Sequence, residues 1–247
     1  MDIDLPGGVK LYVPDELRGA RELPLALHLH GAHATVKEAF LRAEMPGAAA
    51  SLTLPGLSDI YKNRFVKDPA KNFFEILGEI QKASGAGGFS RVWLSSFSAG
   101  FGGVRELLRS PEVVERLDAL ILADTLYAGF ARPQKSPEDR PPPDPKHLDD
   151  FLRYARLAAE GRKGMLVTCC DLIPQAYSAT RETAHALCDG IGASRKTVRD
   201  EWPESLVRTA TARRGRFAFH GFDGDDGVAH MRHLRGLRFF WRLMPRA

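Results

Sequence analysis

Apolar runs of strand length alternate with segments of helical period along most of this chain. That alternation constrains the fold more than any other feature. LPLALHLHG (23–31), AASLTLPG (49–56), RVWLSSF (91–97), LDALILADT (117–125), KGMLVTCCD (163–171) and RFAFHGF (216–222) read as strands. PAKNFFEILGEIQKAS (69–84), AGFGGVRELLRS (99–110), DDFLRYARLAAEG (149–161), SATRETAHALCDG (178–190) and AHMRHLRGLRFFWRLM (229–244) read as helices. Strands that each feed a helix point to an α/β fold, a mostly parallel central sheet with helices on both faces. Pro69 near the start and Gly85 past the end give the 69–84 helix its boundaries. Ser178 and Thr180 offer hydroxyls as N-cap of the 178–190 helix. Residues 131–147, ARPQKSPEDRPPPDPKH, break the rhythm, because a Pro-rich, charged segment makes neither helix nor inner strand. The excursion, about 130–148, reads as a lid-like passage or as a plain surface loop. No repeat and no second compositional region appears, so 1–247 reads as one domain.

Composition sets the bounds. The chain has 247 residues, 44% of them hydrophobic and 27% charged, enough for the core of one large α/β domain and unlike a disordered chain. Net charge is +4 and the pI about 9.0, helped by the arginines of 211–216 and 231–238. No basic stripe interleaved with aromatics accompanies them, so they read as solvated charge and no nucleic-acid partner is expected. Cys169, Cys170 and Cys188 form neither a disulfide framework nor a CxxC metal spacing and read as small buried residues. No apolar run reaches membrane-spanning length and MDIDLPGG lacks a secretory pattern. The expectation is a soluble, cytoplasmic protein, or a secreted one if an export signal has been removed. Oligomeric state is not readable.

The serines of RVWLSSFSAGFGG pose the chemical question. A serine hydroxyl becomes a nucleophile only with a base within hydrogen-bond reach, a carboxylate orienting that base, and donors for the oxyanion. A sharp strand-to-helix turn lifts the hydroxyl clear, and the close backbones there demand small residues two positions either side. In SFSAG, Ser98 meets that demand, with Ser96 and Gly100 as the small neighbours. Ser95 and Ser96 lie within the strand. Gly102 and Gly103 would let the helix lie close to the sheet.

SFSAG, HLHGAHA (28–34) and GDDGVAHMRHL (224–234), in this order within the alternation, resemble the α/β-hydrolase family across nearly the whole chain. Ser96 stands where the family's elbow has its first Gly. The resemblance implies a single-domain serine hydrolase, here a carboxylesterase acting on a small-molecule ester without a cofactor. It implies one oxyanion N–H from Ala32 or His33 and another from Ala99, at a helix N-terminus that favours negative charge. The base would lie after the last strand. Of His220, His230 and His233, His230 follows a Gly/Asp loop and is preferred. The acid would be Asp124 or Asp171, each ending a strand, with Asp124 preferred. Phe97, Phe101, Leu126, Tyr127 and Phe130 flank the site in sequence and either line an acyl pocket or pack in the core.

Rival readings attach to the same segments. His28, His30 and His33 resemble part of the H-x-H-x-D-H zinc motif of metallo-β-lactamase-type hydrolases, with Ala32 in the Asp position. DGDDG (223–227) invites a calcium loop but lacks EF-hand spacing and reads as a solvated turn. A binding protein on a hydrolase scaffold that has lost catalysis is the third class.

Overall fold

A computed structural model describes residues 1–136 and 138–244. Pro137, inside the Pro-rich excursion, and 245–247, at the end of the single-domain range, lie outside the described residues. The chain packs as two compact units. One comprises residues 1–121 with those from Leu237 onward, and the other comprises Leu122–Gly236.

The first unit opens with β1 (Asp2–Leu5) and β2 (Val9–Tyr12), a hairpin absent from the sequence reading. Next come β3 (Pro24–Leu29), α1 (His33–Arg42), β4 (Ala48–Leu52), α2 (Ser58–Phe65) and α3 (Pro69–Ser84). They are followed by β5 (Arg91–Phe97), α4 (Phe101–Leu107), α5 (Pro111–Arg116) and β6 (Ala119–Ala123). β2 pairs antiparallel with β4, which pairs parallel with β3, which pairs parallel with β5. β3, β4 and β6 are buried almost throughout, as strands covered on both faces must be. α3 keeps its expected bounds. Asp68 caps it by accepting from the Lys71 N–H at 2.9 Å, Pro69 opens it, and Gly85 at φ 71° closes it.

β6 runs across the boundary between units. Asp118 donates its N–H to the Val92 carbonyl, and Asp124 donates its own to the Thr168 carbonyl. The second unit then carries α6 (Asp149–Ala159), β7 (Gly164–Cys169), α7 (Thr180–Ile191), β8 (Arg195–Trp202), β9 (Leu206–Arg214), β10 (Phe217–Phe222) and α8 (Gly227–Arg235). β10 pairs parallel with β7 and antiparallel with β9, and β8 pairs antiparallel with β9. The β8–β9 hairpin is a second element that the sequence reading passes over. Its turn uses Glu204 and Ser205 at φ 65° and 56°, without the glycine that usually signals such a turn.

α9 (Leu237–Arg242) returns to the first unit, where Trp241 packs edge-on against Phe40 of α1 at 6.0 Å between ring centroids. The expected single helix over 229–244 is therefore two, separated at Gly236. All three cysteines are buried and free, as expected.

Candidate active site

In the first unit the SFSAG turn has the strain an elbow requires. β5 ends at Phe97, and a short 3-10 turn over Ser98–Gly100 leads into α4. Ser98 sits at φ 46°, a left-handed conformation that a residue with a side chain rarely holds unless its surroundings force it. The small neighbours are needed for a visible reason. A Cβ on Gly100 would lie 2.4 Å from the Leu29 carbonyl oxygen and 2.7 Å from Ser96 Oγ, so the turn rests against the end of β3. Ser96 is fully buried and Ser98 partly exposed. Gly102 approaches α2 rather than the sheet, where a Cβ would meet the Ser58 carbonyl oxygen at 2.1 Å. Gly103 sits against Leu29 of the sheet and Phe65 of α2.

The HLHGAH segment lies beside this turn. β3 and β5 run in register, His28 beside Ser95 and Leu29 beside Ser96. The His30 ring stacks on Phe97 at 6.3 Å. His30 takes φ 69°, the chain turns, and Ala32 becomes the N-cap residue of α1. Ala32 is exposed and Ala99 is 6% exposed.

Strand alternation would put His28 and His30 on one face, with His33 on the other, and the three rings of the zinc reading go to different partners. His28 Nδ1 shares a hydrogen bond with Ser95 Oγ at 2.8 Å, and burial lowers its pKa to about 3. His30 Nδ1 meets Tyr61 Oη at 3.0 Å, and His33 Nδ1 meets Ser51 Oγ at 2.8 Å.

In the second unit the structure joins two of the residues singled out from sequence. His230 Nδ1 lies 2.6 Å from Asp124 Oδ2, across 106 positions of chain. Asp226 fixes the entry of α8 by accepting from the Ala229 N–H at 2.7 Å, which places His230 in the first turn. DGDDG thus supplies a helix cap. Asp124 takes φ 46° and is 1% exposed. Its Oδ1 accepts from the Cys170 N–H at 3.2 Å and from the Thr180 hydroxyl, and its Oδ2 also accepts from the Cys170 thiol at 3.0 Å. Burial alone would raise this carboxyl. The charges of His233 and His230, with hydrogen bonds from His230 and Cys170, outweigh it and hold the group well below the ordinary carboxylate range. Burial and the adjacent Asp124 in turn push the Cys170 thiol far up, so it stays protonated as a donor.

Asp171 is placed elsewhere. It pairs with Arg181 Nε at 2.6 Å, its side chain is 40% exposed, and its pKa is raised, chiefly by burial. His233 is fully buried with Nδ1 2.8 Å from Thr168 Oγ1, and burial lowers its pKa to about 4. His220 lies in β10 against Thr211 and Arg208. Asp124, Cys170 and His233 bring potential ligand atoms within 4.8 Å of one another. The carboxylate there is already occupied as the acceptor just described.

Of the flanking residues, Phe97 and Leu126 are buried. Phe101, Tyr127 and Phe130 are partly exposed. Tyr127 lies edge-on to Tyr177 at 5.4 Å, and the Phe130 ring faces the Arg140 guanidinium at 5.0 Å. Two donors to Asp124 had no sequence signal. Cys170 read as a small apolar residue, and Thr180 read as an N-cap. The N-cap is instead Ala179, and the Thr180 hydroxyl points to the acid.

Among the described residues no helix is long and apolar enough to cross a membrane. No family model and no curated protein matches the sequence. Solved structures do match. A thermophilic, thermostable carboxylesterase from a metagenomic library, EstE1, aligns at 14% identity and TM-score 0.55, covering 99% of this chain and 89% of that one. The siderophore hydrolase EstB from Aspergillus nidulans aligns at 12% identity and TM-score 0.49, covering 96% and 95%. The Bacillus licheniformis lipase BlEst2 aligns at 12% identity and TM-score 0.49, covering 98% and 100%. Of these three only the first exceeds a TM-score of 0.5, and at 14% identity it shows the fold alone. The chain has the α/β-hydrolase fold, a mostly parallel sheet with helices on both faces.

Proposed function

We propose that this α/β-hydrolase fold carries a serine hydrolase, a carboxylesterase cleaving a small-molecule acyl ester. The observation that carries the reading is the His230–Asp124 pair at 2.6 Å, with the carboxylate buried and held by further donors. A buried carboxylate on Nδ1 fixes the tautomer that leaves Nε2 available as a base, and it stabilises the imidazolium that forms. Ser98, strained at φ 46° at the elbow, is the proposed nucleophile. Its oxygen attacks the ester carbonyl as His230 takes the hydroxyl proton. The N–H groups of Ala99 and Ala32 stabilise the tetrahedral oxyanion. His230 then protonates the leaving alcohol, and a water molecule deprotonated by His230 releases the acid from the acyl-enzyme. Asp124 stays ionised throughout. The partly exposed Phe101, Tyr127 and Phe130 are proposed to face the acyl chain. EstE1, which aligns at a TM-score of 0.55, is a carboxylesterase, which accords with the ester class. Hydrolysis of p-nitrophenyl acyl esters across chain lengths tests the reading. Turnover of short acyl chains, lost in Ser98→Ala, is expected. Full turnover by Ser98→Ala would overturn the nucleophile.

A further inference from the structure

The Pro-rich segment and the acid of the pair are connected by a chain of contacts within the second unit. The described residues of 130–148 are not an untethered loop. Ala131 donates its N–H to the Pro142 carbonyl at 2.9 Å, Asp144 donates to the Gly129 carbonyl at 2.7 Å, and Gly129 donates to His147 Nδ1 at 2.9 Å. Arg132 and Asp139 form a two-pronged ion pair at 2.6 and 2.8 Å. From this base Arg140 reaches out. Its Nη2 and Nε donate to Glu182 at 2.7 and 3.2 Å, and its Nη1 donates to the Pro174 carbonyl at 2.6 Å. Glu182 also accepts from the Ala179 N–H at 2.6 Å, closing the first turn of α7. Ala179 has no side-chain oxygen, so Glu182 supplies only half of a capping box. Between Ala179 and Glu182 sits Thr180, 3% exposed, whose hydroxyl donates to Asp124 Oδ1.

We propose that Thr180 is a positioning residue for the catalytic acid, and that the Pro-rich segment is a fixed strap that sets Thr180 through Arg140 and Glu182. The proposal rests on the serine-hydrolase reading. The physical argument concerns the two oxygens of one carboxylate. Oδ2 faces the His230 imidazole. The carboxylate keeps that orientation only if Oδ1 is held from the other side, and a hydroxyl donating to an ionised oxygen is a strong hold. It also draws charge toward Oδ1. Removing it leaves more charge on the oxygen facing His230, which favours the imidazolium. Cys170 N–H still holds Oδ1, so the pair persists with altered electrostatics.

Thr180→Val keeps the shape and removes the donor, while Thr180→Ser keeps the donor. Arg140→Met keeps the stem and cuts the clamp. In Thr180→Val we expect kcat on the acid limb of its pH profile to fall about tenfold with KM unchanged, because more of His230 is protonated there. The acid limb of the pH–kcat profile should move to higher pH. Thr180→Ser should restore both, and Arg140→Met should shift both in the same direction by less. A readout independent of turnover is an NMR titration of the His230 ring in a Ser98→Ala background, where Thr180→Val should raise the imidazole pKa. An unchanged or lowered His230 titration in Thr180→Val overturns the proposal, whatever the ester assay gives. Retained turnover in Ser98→Ala overturns the serine-hydrolase reading instead, so the two failures are distinguishable.

Discussion

The two units of this chain prepare their candidate residues in different ways. In the first unit Ser98 is set by backbone. A left-handed φ of 46° and a Gly100 with no room for a Cβ define the turn, all within five residues of sequence. In the second unit Asp124 and His230 are set by side-chain hydrogen bonds across 106 positions, and Cys170, just past β7, and Thr180, at the start of α7, join them. A locally specified site is written in a motif. A site specified by long-range donors is written only in the fold.

The comparison breaks most sharply at its two ends. Ser98→Ala should lower kcat for a p-nitrophenyl ester by on the order of 10⁵-fold or more, and His230→Ala by a similar factor, because triad members act as a unit. Circular dichroism should show both variants folded, and a fall below about tenfold in either would break its assigned role. Next in size, Asp124→Asn should cost on the order of 10⁴-fold in kcat, since an amide cannot hold the required tautomer. Asp171→Asn, which removes a half-exposed partner of Arg181, should stay within about threefold. Parallel kinetics on the two variants check this, and the reverse ranking would move the acid.

Gly100→Ala probes the backbone side. A Cβ 2.4 Å from a main-chain oxygen cannot be accommodated by a rotamer change, so about 3 kcal/mol of stability should be lost in urea melts. A loss under about 0.5 kcal/mol would mean that the turn is not tight.

A further expected effect is in pH. His28, His220 and His233 are kept neutral by burial, with pKa values lowered to about 3, 4 and 4. The unfolded chain takes up these protons below about pH 6.5 and the folded chain does not. Their stability contribution is therefore complete above pH 6.5 and declines as pH falls toward 4. About 2 kcal/mol per histidine should go between pH 6.5 and 5, at 1.4 kcal/mol per unit. Thermal melts that are flat across that range would contradict the buried, neutral assignment. Two of these three histidines lie in the second unit.

The parts of the fold legible in the sequence follow the same division. β3, β5, β10 and α3 were readable because they are apolar runs with clear ends, and SFSAG because its constraint is local. β1 and β2 are four-residue strands of mixed polarity, too short to show a period. The β8–β9 hairpin hides behind charged, half-exposed strands and a turn made by Glu204 and Ser205. The sequence separated Asp124 from Asp171 only narrowly, because both end strands; the structure puts Asp124 beside His230 and Asp171 beside Arg181. The hydroxyl of Thr180 looked like a cap because nothing in its neighbourhood names a partner 56 positions away.

The central claim is that Ser98 is a nucleophile activated by the His230–Asp124 pair. The most direct test is reaction of the folded protein with a fluorophosphonate, followed by peptide mass spectrometry to locate the adduct. The account predicts one adduct, on Ser98, formed rapidly in the native protein and slowed by orders of magnitude in His230→Ala. An adduct on another serine, or equal labelling in His230→Ala, would contradict it.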